Sequence, residues 1–457
     1  MSLIKTISGI RGTIGGRSGE NLTPIDIVEC TAGYGKWLLA GGCTPKVVIG
    51  RDGRVSGEMV KNLAVNTLIA MGIDVIDLDL STTPTVEMAV VRHSAGGGII
   101  LTASHNPYEW NALKLLNHRG EFISAKDGDD ILNIIEKKDF EFANADKLGR
   151  LIKSTDDMDY HVRKILELPH VNTQKIKNAG FKVVVDCINS TGALAIPSLL
   201  DALGVDYSLI NAEITGIFAH NPEPLPEHLS QVVNAVKQAN ADLGIVVDPD
   251  VDRLAFVCEN GDFFGEEYTL VAVADYILTK SEVKNTVSNL SSTRALADIT
   301  KVHGGYHSSS KVGEVNVVEK MKETGAVIGG EGNGGVIFSD LHYGRDALVG
   351  IALFLSLMSE HSEKASVLKK RYPHYLMVKD KMPLMNLDIN SVIFILKEKF
   401  KEETLNFEDG IKIDFAEGWV HVRGSNTEPI VRIYSESTTE LKARELVNLV
   451  KSQFQNG

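Results

Sequence analysis

Short apolar segments alternate with longer amphipathic segments along most of this 457-residue sequence. Residues 46–50 and 182–186 read KVVIG and KVVVD, and each precedes a polar turn and a segment with helical periodicity. Buried strands that alternate with helices are typical of α/β units built on largely parallel sheets. The chain is too long for one hydrophobic core, so the pattern predicts several units.

The last part of the chain breaks this alternation. From about Met377 onward, the segments GIKIDFAEG, GWVHVRG and EPIVRIYSES lie between two helical segments. This order predicts a smaller α+β domain with a mainly antiparallel sheet. We therefore predict an α/β protein of four domains around a central cleft, with three α/β units on mixed, largely parallel sheets, residues 1–150, 151–256 and 257–368, and a C-terminal α+β domain, residues 376–457.

Composition disfavours several classes of protein. A net charge of −13 without a Lys/Arg-rich block argues against a nucleic-acid partner. No apolar run is long enough to span a bilayer, and the best, Ile351 to Met358, fits a core helix. The N-terminus lacks the apolar segment of a signal peptide, so we expect a cytoplasmic protein without a membrane partner. The four cysteines form no C-x-x-C pair, which disfavours zinc and disulfide frameworks.

A serine follows the strand candidate Ile99 to Leu101 in the segment LTASHNP. Ser104 and His105 are expected to be exposed on a tight loop before Pro107. A serine in such a place can act as a nucleophile or carry a phosphoryl group. The alternative is that these residues only build a turn.

Three aspartates follow the apolar strand candidate of residues 243–247 at every second position: Asp248, Asp250 and Asp252. In extended backbone this spacing points all three carboxylates the same way, and such oxygen donors suit Mg²⁺. Three like charges this close also need a cation between them. The alternative is an aspartate-rich surface turn.

A glycine-rich segment, GGEGNGG, covers residues 329–335 but lacks the pattern of a nucleotide P-loop. Glu331 can accept hydrogen bonds from sugar hydroxyls and cannot hold a phosphate, so we predict that it reads hydroxyls. The alternative is a plain hairpin turn.

A fourth polar segment, RGSNTEP, starts at Arg423 between two strand candidates. Arginine binds phosphate through two parallel hydrogen bonds, and hydroxyls and backbone N–H groups can bind the remaining oxygens. The segment therefore predicts a phosphate-binding loop, with a polar β-turn as the alternative.

In this order, the motifs TASHNP, D-x-D-x-D-R, GE-x-x-GG and R-x-S-x-TEP resemble those of the α-D-phosphohexomutase superfamily. The resemblance implies an Mg²⁺-dependent isomerase that interconverts hexose 1-phosphate and hexose 6-phosphate. It further implies a phosphoserine enzyme, a hexose 1,6-bisphosphate intermediate that also serves as activator, and sugar phosphates as partners. We expect a monomer or homodimer.

The segments VGEVNV, GEGNGG and SNTEP look most like an archaeal-type branch of this superfamily. That branch is associated with phosphoglucosamine mutase activity, and also with mixed phosphoglucomutase and phosphomannomutase activity, which is the alternative. Asn333 stands where many bacterial members have serine, and this departure leaves the sugar open.

The resemblance also implies roles for individual residues. Ser104 would carry the phosphoryl group and bind Mg²⁺ together with Asp248, Asp250 and Asp252. His105, Lys114 and Arg11 would be catalytic, the last two through proton handling and phosphate neutralisation. The implied substrate-binding residues are Arg253, which would also organise the metal loop, Lys311, Glu331, Asn333, Arg423, Ser425, Asn426 and Thr427.

Two rival functions explain part of the pattern. A metal-dependent phosphatase with an aspartate nucleophile would use Asp248 and Asp250 but leave Ser104 and RGSNTEP without a task. A non-catalytic sugar-phosphate sensor would not need the serine, the three aspartates and Lys114 together.

Overall fold

The computed structural model of the chain describes residues 2–6, 9–383, 388–424 and 430–453. It consists of two compact units. The first unit comprises Met1–Thr269 and Gly334–Leu368, and the second comprises Leu270–Asn333 and Lys369–Gly457. Within the described ranges, no helix is long and apolar enough to cross a membrane.

A seven-stranded mixed sheet forms the N-terminal part of the first unit. Its strands are β1 (Ile4–Thr6), β2 (Gly9–Thr13), β3 (Lys46–Arg51), β4 (Asp74–Leu80), β5 (Gly97–Leu101), β6 (Trp110–Leu116) and β7 (Leu151–Lys153). The helices of this part are α1 (Pro24–Ala40), α2 (Gly57–Ala70), α3 (Thr83–Arg92) and α4 (Ala125–Lys137). The strand order is β1-β2-β6-β5-β3-β4-β7.

Strands β3 and β5 are parallel neighbours, and Arg51 of β3 lies opposite Leu101 of β5. The loops that follow the two strands therefore start side by side at one edge of the sheet. Crevices at the carboxyl ends of parallel strands are where α/β proteins bind ligands.

A four-stranded sheet with the order β11-β10-β8-β9 follows in the first unit. Its strands are β8 (Lys182–Asp186), β9 (Asp206–Ile210), β10 (Leu243–Val247) and β11 (Leu254–Cys258). The helices are α5 (Asp157–Leu166), α6 (Thr173–Ala179), α7 (Gly192–Leu203) and α8 (Ser230–Ala239). β10 is parallel to β8 and antiparallel to β11, so residues 248–253 form the tip of a β10–β11 hairpin.

Helix α9 (Glu266–Lys280) leads into the second unit. There β12 (Thr286–Asn289) pairs in parallel with both β13 (His307–Ser310) and β14 (Ile328–Glu331). Helices α10 (Ala295–Val302) and α11 (Glu314–Thr324) connect these strands. The chain then returns to the first unit with β15 (Gly335–Phe338) and α12 (Ala347–His361), and α13 (Ala365–Lys369) follows.

A five-stranded sheet, antiparallel throughout, forms the C-terminal part of the second unit. Its strands are β16 (Leu376–Pro383), β17 (Thr404–Asn406), β18 (Ile411–Phe415), β19 (Gly418–Gly424) and β20 (Ile430–Ser437), in the order β16-β20-β19-β18-β17. Helices α14 (Ile389–Lys399) and α15 (Glu440–Lys451) accompany it. The predicted antiparallel α+β domain is thereby confirmed.

The strands that carry the site are buried along their whole length. Every residue of β5 and of β10 is buried, which explains why their sequences are continuous apolar runs rather than alternating patterns. Helix α12 is likewise buried from Ala347 to Met358, so the predicted core helix is confirmed. Phe354 of α12 stacks on Phe256 of β11 at a ring distance of 4.0 Å. The site loops thus start from rigid elements.

Candidate active site

Ser104 lies on the loop between β5 and β6, in a left-handed backbone conformation with φ of 47°. Few residues other than glycine adopt this conformation. The expectation that the loop exposes the serine is wrong, because Ser104 is only 6% exposed. Its Oγ donates a 2.6 Å hydrogen bond to Asp248 Oδ2, so the first aspartate of the triad lies against the serine.

One guanidinium holds the serine loop in shape. Arg54 is 1% exposed and donates to four backbone carbonyl oxygens, those of Ser104, Asn106, Pro107 and Trp110. Asp52 Oδ2 accepts hydrogen bonds from Arg54 Nε at 2.9 Å and from Thr102 Oγ1 at 2.6 Å. Burial raises the pKa of Asp52, and the charge of Arg54 opposes that rise.

Asp52 and Arg54 were missed by the sequence reasoning, although a signal existed. They follow β3 directly, and β3 is the parallel neighbour of the strand that precedes Ser104. Polar residues after adjacent parallel strands meet at one edge of the sheet. The triplet Asp-Gly-Arg after KVVIGR could therefore have been assigned to the site.

The three aspartates lie on the tight turn between β10 and β11. Asp248 Oδ1 accepts the backbone N–H groups of Asp252 at 3.2 Å and Arg253 at 3.1 Å. Val251 has a φ of 61°, a strained conformation for a β-branched residue. The expected extended backbone is wrong, because the chain folds around the first carboxylate. The three carboxylates converge nevertheless, with one oxygen of each within 4.8 Å of the others.

These carboxylates fit a divalent metal ion. All three aspartates are completely buried, and no hydrogen-bond donor among the described residues reaches Asp250 Oδ1 or Asp252 Oδ1. Burial and the charges of Asp250 and Asp252 raise the pKa of Asp248 well above its usual range. A hard cation bound by carboxylate oxygens would remove this repulsion and satisfy the two remaining oxygens.

Two cationic side chains contact the triad. Lys114 Nζ, on β6, lies 2.7 Å from Asp250 Oδ2 and 3.3 Å from Asp252 Oδ2. Arg345 Nη2 lies 2.7 Å from Asp252 Oδ2. Burial favours the neutral amine, but the two carboxylates outweigh it and raise the pKa of Lys114. Burial also favours protonated Asp252, but Arg345 and Lys114 outweigh it and lower the pKa of that carboxyl.

Further positive charge surrounds the serine loop. Arg11 on β2 donates to Asn106 Oδ1 at 3.4 Å, and Arg253 Nη1 donates to Glu223 Oε1 at 3.4 Å. The charge of Arg253, then burial and the charge of Arg11, lower the pKa of His105 well below its usual range. The imidazole is therefore neutral near neutral pH. A chain with a net charge of −13 thus concentrates cations where a phosphoryl group would be carried.

Thr83 and Arg345 were also missed, and neither had a local sequence signal. Thr83 begins α3, 167 residues before Asp250. Its N–H donates to the backbone carbonyl oxygen of Asp250 at 2.9 Å, and its Oγ1 donates to Asp250 Oδ2 at 2.5 Å. The N-terminus of α3, the positive end of its dipole, therefore lies beside Asp250. Arg345 precedes α12 and reaches Asp252 only because the chain returns to the first unit.

In the second unit, Glu331 ends β14 and is 4% exposed. Its Oε1 accepts hydrogen bonds from Asn289 Nδ2 at 2.8 Å and from the backbone N–H of Gly313 at 2.9 Å. The structure thus brings the Glu331 loop next to the segment that contains Lys311, which is itself exposed. Asn333 is half-buried.

Arg423 lies near the end of β19, directly opposite Arg432 of β20, which in turn lies opposite Lys381 of β16. Three cations therefore form a row across adjacent strands, an arrangement that an anion would stabilise. Arg432 was missed by the sequence analysis. The alternation of apolar and polar residues along β20 could have placed its side chain on the polar face of the sheet. The predicted residues Ser425, Asn426 and Thr427 lie outside the described residues.

Two histidines of the second unit, the buried His421 and the half-buried His307, carry no charge near neutral pH. His307 contacts Thr286 Oγ1 at 2.9 Å through Nδ1, and His421 contacts Ser291 Oγ at 2.8 Å through Nδ1. Burial, followed by the charge of Lys412, lowers the pKa of His307 to about 4. Burial likewise lowers the pKa of His421 to about 4, against the opposing effect of its hydrogen bond to Asp409.

Comparison with known proteins places this geometry in a family. Four family profiles match in chain order. They are phosphoglucomutase/phosphomannomutase alpha/beta/alpha domain I (residues 3–142), domain II (residues 159–261), domain III (residues 265–375) and the C-terminal domain (residues 377–452).

Relatives and solved structures agree with these matches. The chain is 36% identical to a phosphoglucomutase/phosphomannomutase of Thermococcus kodakarensis, over 96% of both chains. It is 33% identical to a probable phosphoglucosamine mutase of Methanopyrus kandleri, over 96% of this chain and 95% of that one. A phosphoglucomutase/phosphomannomutase family protein from Burkholderia thailandensis superimposes with a TM-score of 0.85 at 25% identity, covering 99% of this chain and 98% of that one.

The resemblance seen in the sequence is therefore confirmed. A buried serine against three converging carboxylates, on a chain matched from end to end, identifies a phosphohexomutase: the chain belongs to the phosphoglucomutase/phosphomannomutase family.

Proposed function

We propose that this phosphohexomutase interconverts glucosamine 1-phosphate and glucosamine 6-phosphate through phosphorylated Ser104. One observation carries the proposal. Ser104 Oγ lies 2.6 Å from Asp248 Oδ2, so the hydroxyl that would carry the phosphoryl group is adjacent to three carboxylates that fit a divalent cation. Neither a phosphatase with an aspartate nucleophile nor a passive sensor needs that contact.

Mg²⁺ is the cation we propose, held by Asp248, Asp250, Asp252 and an oxygen of the phosphate on Ser104. All of these ligands are oxygens, which Mg²⁺ prefers. When bound, the ion neutralises charge on the transferred phosphoryl group.

Phosphoryl transfer requires an in-line donor and acceptor and neutralisation of the equatorial oxygens. In the forward half-reaction, the bond between phosphorus and Ser104 Oγ breaks, and a bond forms between phosphorus and the free hydroxyl of the hexose phosphate. The product is a hexose 1,6-bisphosphate. In the second half-reaction, the bond between the other phosphorus and its sugar oxygen breaks, and Ser104 Oγ bonds to that phosphorus. This step regenerates phosphorylated Ser104.

In the first half-reaction the proton of the attacking sugar hydroxyl must end on the departing Ser104 Oγ. In the second, the proton of the attacking Ser104 hydroxyl must end on the departing sugar oxygen. Lys114 is the group we assign to this transfer, because its ammonium is buried against two carboxylates at 2.7 and 3.3 Å. Asp250 and Asp252 keep it protonated, so in each half-reaction it gives a proton to the leaving oxygen and accepts one from the attacking hydroxyl. His105 remains neutral beside Arg253 and Arg11, which we assign to the phosphoryl oxygens.

Residues of the second unit are assigned to substrate binding. Glu331 is held by Asn289 and Gly313 and would accept hydrogen bonds from sugar hydroxyls, with Asn333 and Lys311 as further polar contacts. Arg423, with Ser425, Asn426 and Thr427 of the same segment, would bind the phosphate that is not being transferred.

The row of Arg423, Arg432 and Lys381 supports this assignment, since it concentrates positive charge on one face of the C-terminal sheet. Arg432 is therefore added to the phosphate-binding residues.

A broader sugar range is the second candidate. The relative from Thermococcus kodakarensis is named as a phosphoglucomutase/phosphomannomutase, whereas that from Methanopyrus kandleri is named as a probable phosphoglucosamine mutase. Turnover of glucose and mannose phosphates at similar rates would favour the broader enzyme. We also propose that the enzyme is a cytoplasmic monomer or homodimer that acts on free sugar phosphates.

The test is competitive turnover of glucosamine 1-, glucose 1- and mannose 1-phosphate, followed by ³¹P NMR with Mg²⁺ and a trace of the matching 1,6-bisphosphate. We expect conversion of glucosamine 1-phosphate with the largest kcat/KM. Ser104→Ala should abolish conversion and retain binding of the sugar phosphate. Release of inorganic phosphate without isomerisation would support the phosphatase instead, and binding without any conversion by the wild-type chain would support the sensor.

A further inference from the structure

A second group of metal-ligating side chains lies in the first unit, outside the serine and its triad. His161 on α5, His342 before α12 and Asp346 at the start of α12 each offer one ligand atom, and these atoms lie within 4.8 Å of one another. Asp346 Oδ2 lies 2.9 Å from His161 Nε2 and 3.4 Å from His342 Nε2. Both imidazoles thus point the same nitrogen at one carboxylate oxygen.

The other nitrogen of each imidazole is already engaged. His161 Nδ1 contacts Thr85 Oγ1 at 3.0 Å, and His342 Nδ1 lies 3.3 Å from Glu87 Oε2. Histidines that bind metals almost always hold their second nitrogen against a carboxylate or another polar group, which fixes the ring and leaves the first nitrogen for the ion. The two imidazoles here have that arrangement, with both outer contacts supplied by α3.

Asp346 divides its oxygens between two tasks. Oδ1 caps α12 by accepting the N–H groups of Leu348 at 2.8 Å and Val349 at 3.3 Å, which leaves Oδ2 for the histidines. Zinc ligands at about 2.0–2.2 Å from the ion lie about 3.3 Å apart in tetrahedral coordination. The observed separations of 2.9 and 3.4 Å lie on either side of that value.

Charge gives an independent reason for a cation. Glu87 is 1% exposed and Asp346 is completely buried, so two carboxylates lie beside two imidazoles away from solvent. A divalent ion or protons on the imidazoles would stabilise this arrangement. In the protonated alternative, burial favours the neutral imidazole of His342, but its interactions with the Asp346 and Glu87 carboxylates outweigh burial and raise its pKa to about 10.

We propose that His161, His342 and Asp346 bind a zinc ion, with solvent as the fourth ligand. Two nitrogens and one carboxylate oxygen suit zinc and disfavour magnesium. A cavity of about 420 Å³, lined in part by Glu87, Tyr160 and His342, borders the cluster at His342.

The ion would join α3, α5 and the start of α12. Thr83, the first residue of α3, contacts Asp250, and Arg345, which precedes Asp346, contacts Asp252. The proposed zinc is therefore a structural brace behind the acidic triad and is separate from the magnesium site.

The test uses the full-length untagged chain, freed of metal with EDTA and then desalted, in excess Mg²⁺. Co²⁺ is added as a spectroscopic probe for zinc. We expect one Co²⁺ per chain with a visible d–d band, displacement of that band by Zn²⁺, and a higher melting temperature with Zn²⁺ than with EDTA. Absence of a Co²⁺ site that persists in excess Mg²⁺ would overturn the proposal in favour of the protonated network.

Variants locate the site. His342→Gln should weaken Co²⁺ binding at least 100-fold, and Glu87→Gln should weaken it about 10- to 100-fold through the outer contact. Asp250→Asn, which removes a magnesium ligand, should leave the Co²⁺ band unchanged. His303→Gln is the matched control, because His303 also contacts a carboxylate, that of Asp275 at 2.7 Å, but lies outside the cluster. Equal Co²⁺ affinity in wild type, His342→Gln and Glu87→Gln would also overturn the proposal.

Discussion

The two compact units handle charge in opposite ways. In the first unit, ionised groups are buried in contact with one another: Asp252 with Lys114 and Arg345, and Asp52 with Arg54. In the second unit, His307 and His421 are neutral, and three cations lie in a row on one face of a sheet. The first arrangement suits stabilisation of a charge that is being transferred, and the second suits recognition of a charge that stays on the ligand.

The physical reason lies in the cost of burying ions. A buried charge is tolerated only with good partners, and removing one partner leaves the other uncompensated. In return, buried and pre-oriented charges stabilise a transition state more strongly than hydrated charges do. We therefore expect changes in the first unit to lower kcat or stability, and changes in the second unit to raise KM.

The largest effect is expected at Lys114. Lys114→Met removes the proposed proton-transfer group and should lower kcat about 10²- to 10⁴-fold with a much smaller change in KM. Steady-state kinetics of the mutase reaction measure this effect, and circular dichroism checks that the variant is folded. A defect mainly in KM would contradict the expectation that changes in the first unit act on kcat or stability and not on KM.

Arg54 should matter most for stability. Arg54→Met leaves Asp52 buried without its ion pair and four backbone carbonyls without their donor. The free energy of unfolding in urea should fall by about 3–5 kcal/mol. The control is Arg51→Met, because Arg51 pairs with the largely exposed Asp79 and should cost less than about 1 kcal/mol. Equal losses of unfolding free energy in the two variants would show that the buried pair contributes no more to stability than the exposed pair.

Arg423 tests the second unit. Arg423→Gln removes one charged contact to the proposed phosphate, which is worth about 1.5–3 kcal/mol. KM should therefore rise about 10- to 100-fold, with kcat within about threefold of the wild-type value. Arg444→Gln, at an exposed position on α15 of the same unit, should change neither constant. A fall in kcat as large as the rise in KM would remove the functional distinction between the units.

The smallest effect concerns acid stability of the second unit. The pKa of His307 is about 4 in the folded chain and about 6.5 in the unfolded chain, so the unfolded state binds more protons between these values. The stability that His307 contributes is complete above about pH 6.5 and is lost as the pH falls toward 4. His421 behaves in the same way.

As the pH falls from 7.5 to 5, each of these histidines should lower the free energy of unfolding by about 1–2 kcal/mol. The measurement is urea unfolding across this range for the wild type and for His307→Gln. The variant should show a flatter dependence on pH. A dependence that is identical in both proteins would mean that the pKa of His307 is not lowered in the folded chain.

Local sequence patterns predicted most of the architecture. Each predicted strand that precedes a site loop is present in the structure. A run of apolar β-branched residues, such as that of β3 or β10, is buried on both sides only in a sheet that is covered on both faces. The four motifs also identified the family. The exposure of Ser104 and the backbone of the aspartate turn could not be predicted, because both depend on a contact between loops 144 residues apart.

The sequence by itself determined which residue types stand at the ends of the strands, and hence the α/β class, the serine and the three carboxylates. Only the tertiary structure decided their partners. Thr83 and Arg345 reach Asp250 and Asp252 from distant parts of the chain, and Arg54 closes the serine loop through backbone carbonyls that no side-chain pattern records. Local propensities specify strands, turns and caps, whereas the pairing of buried charges depends on which elements the folded core brings together.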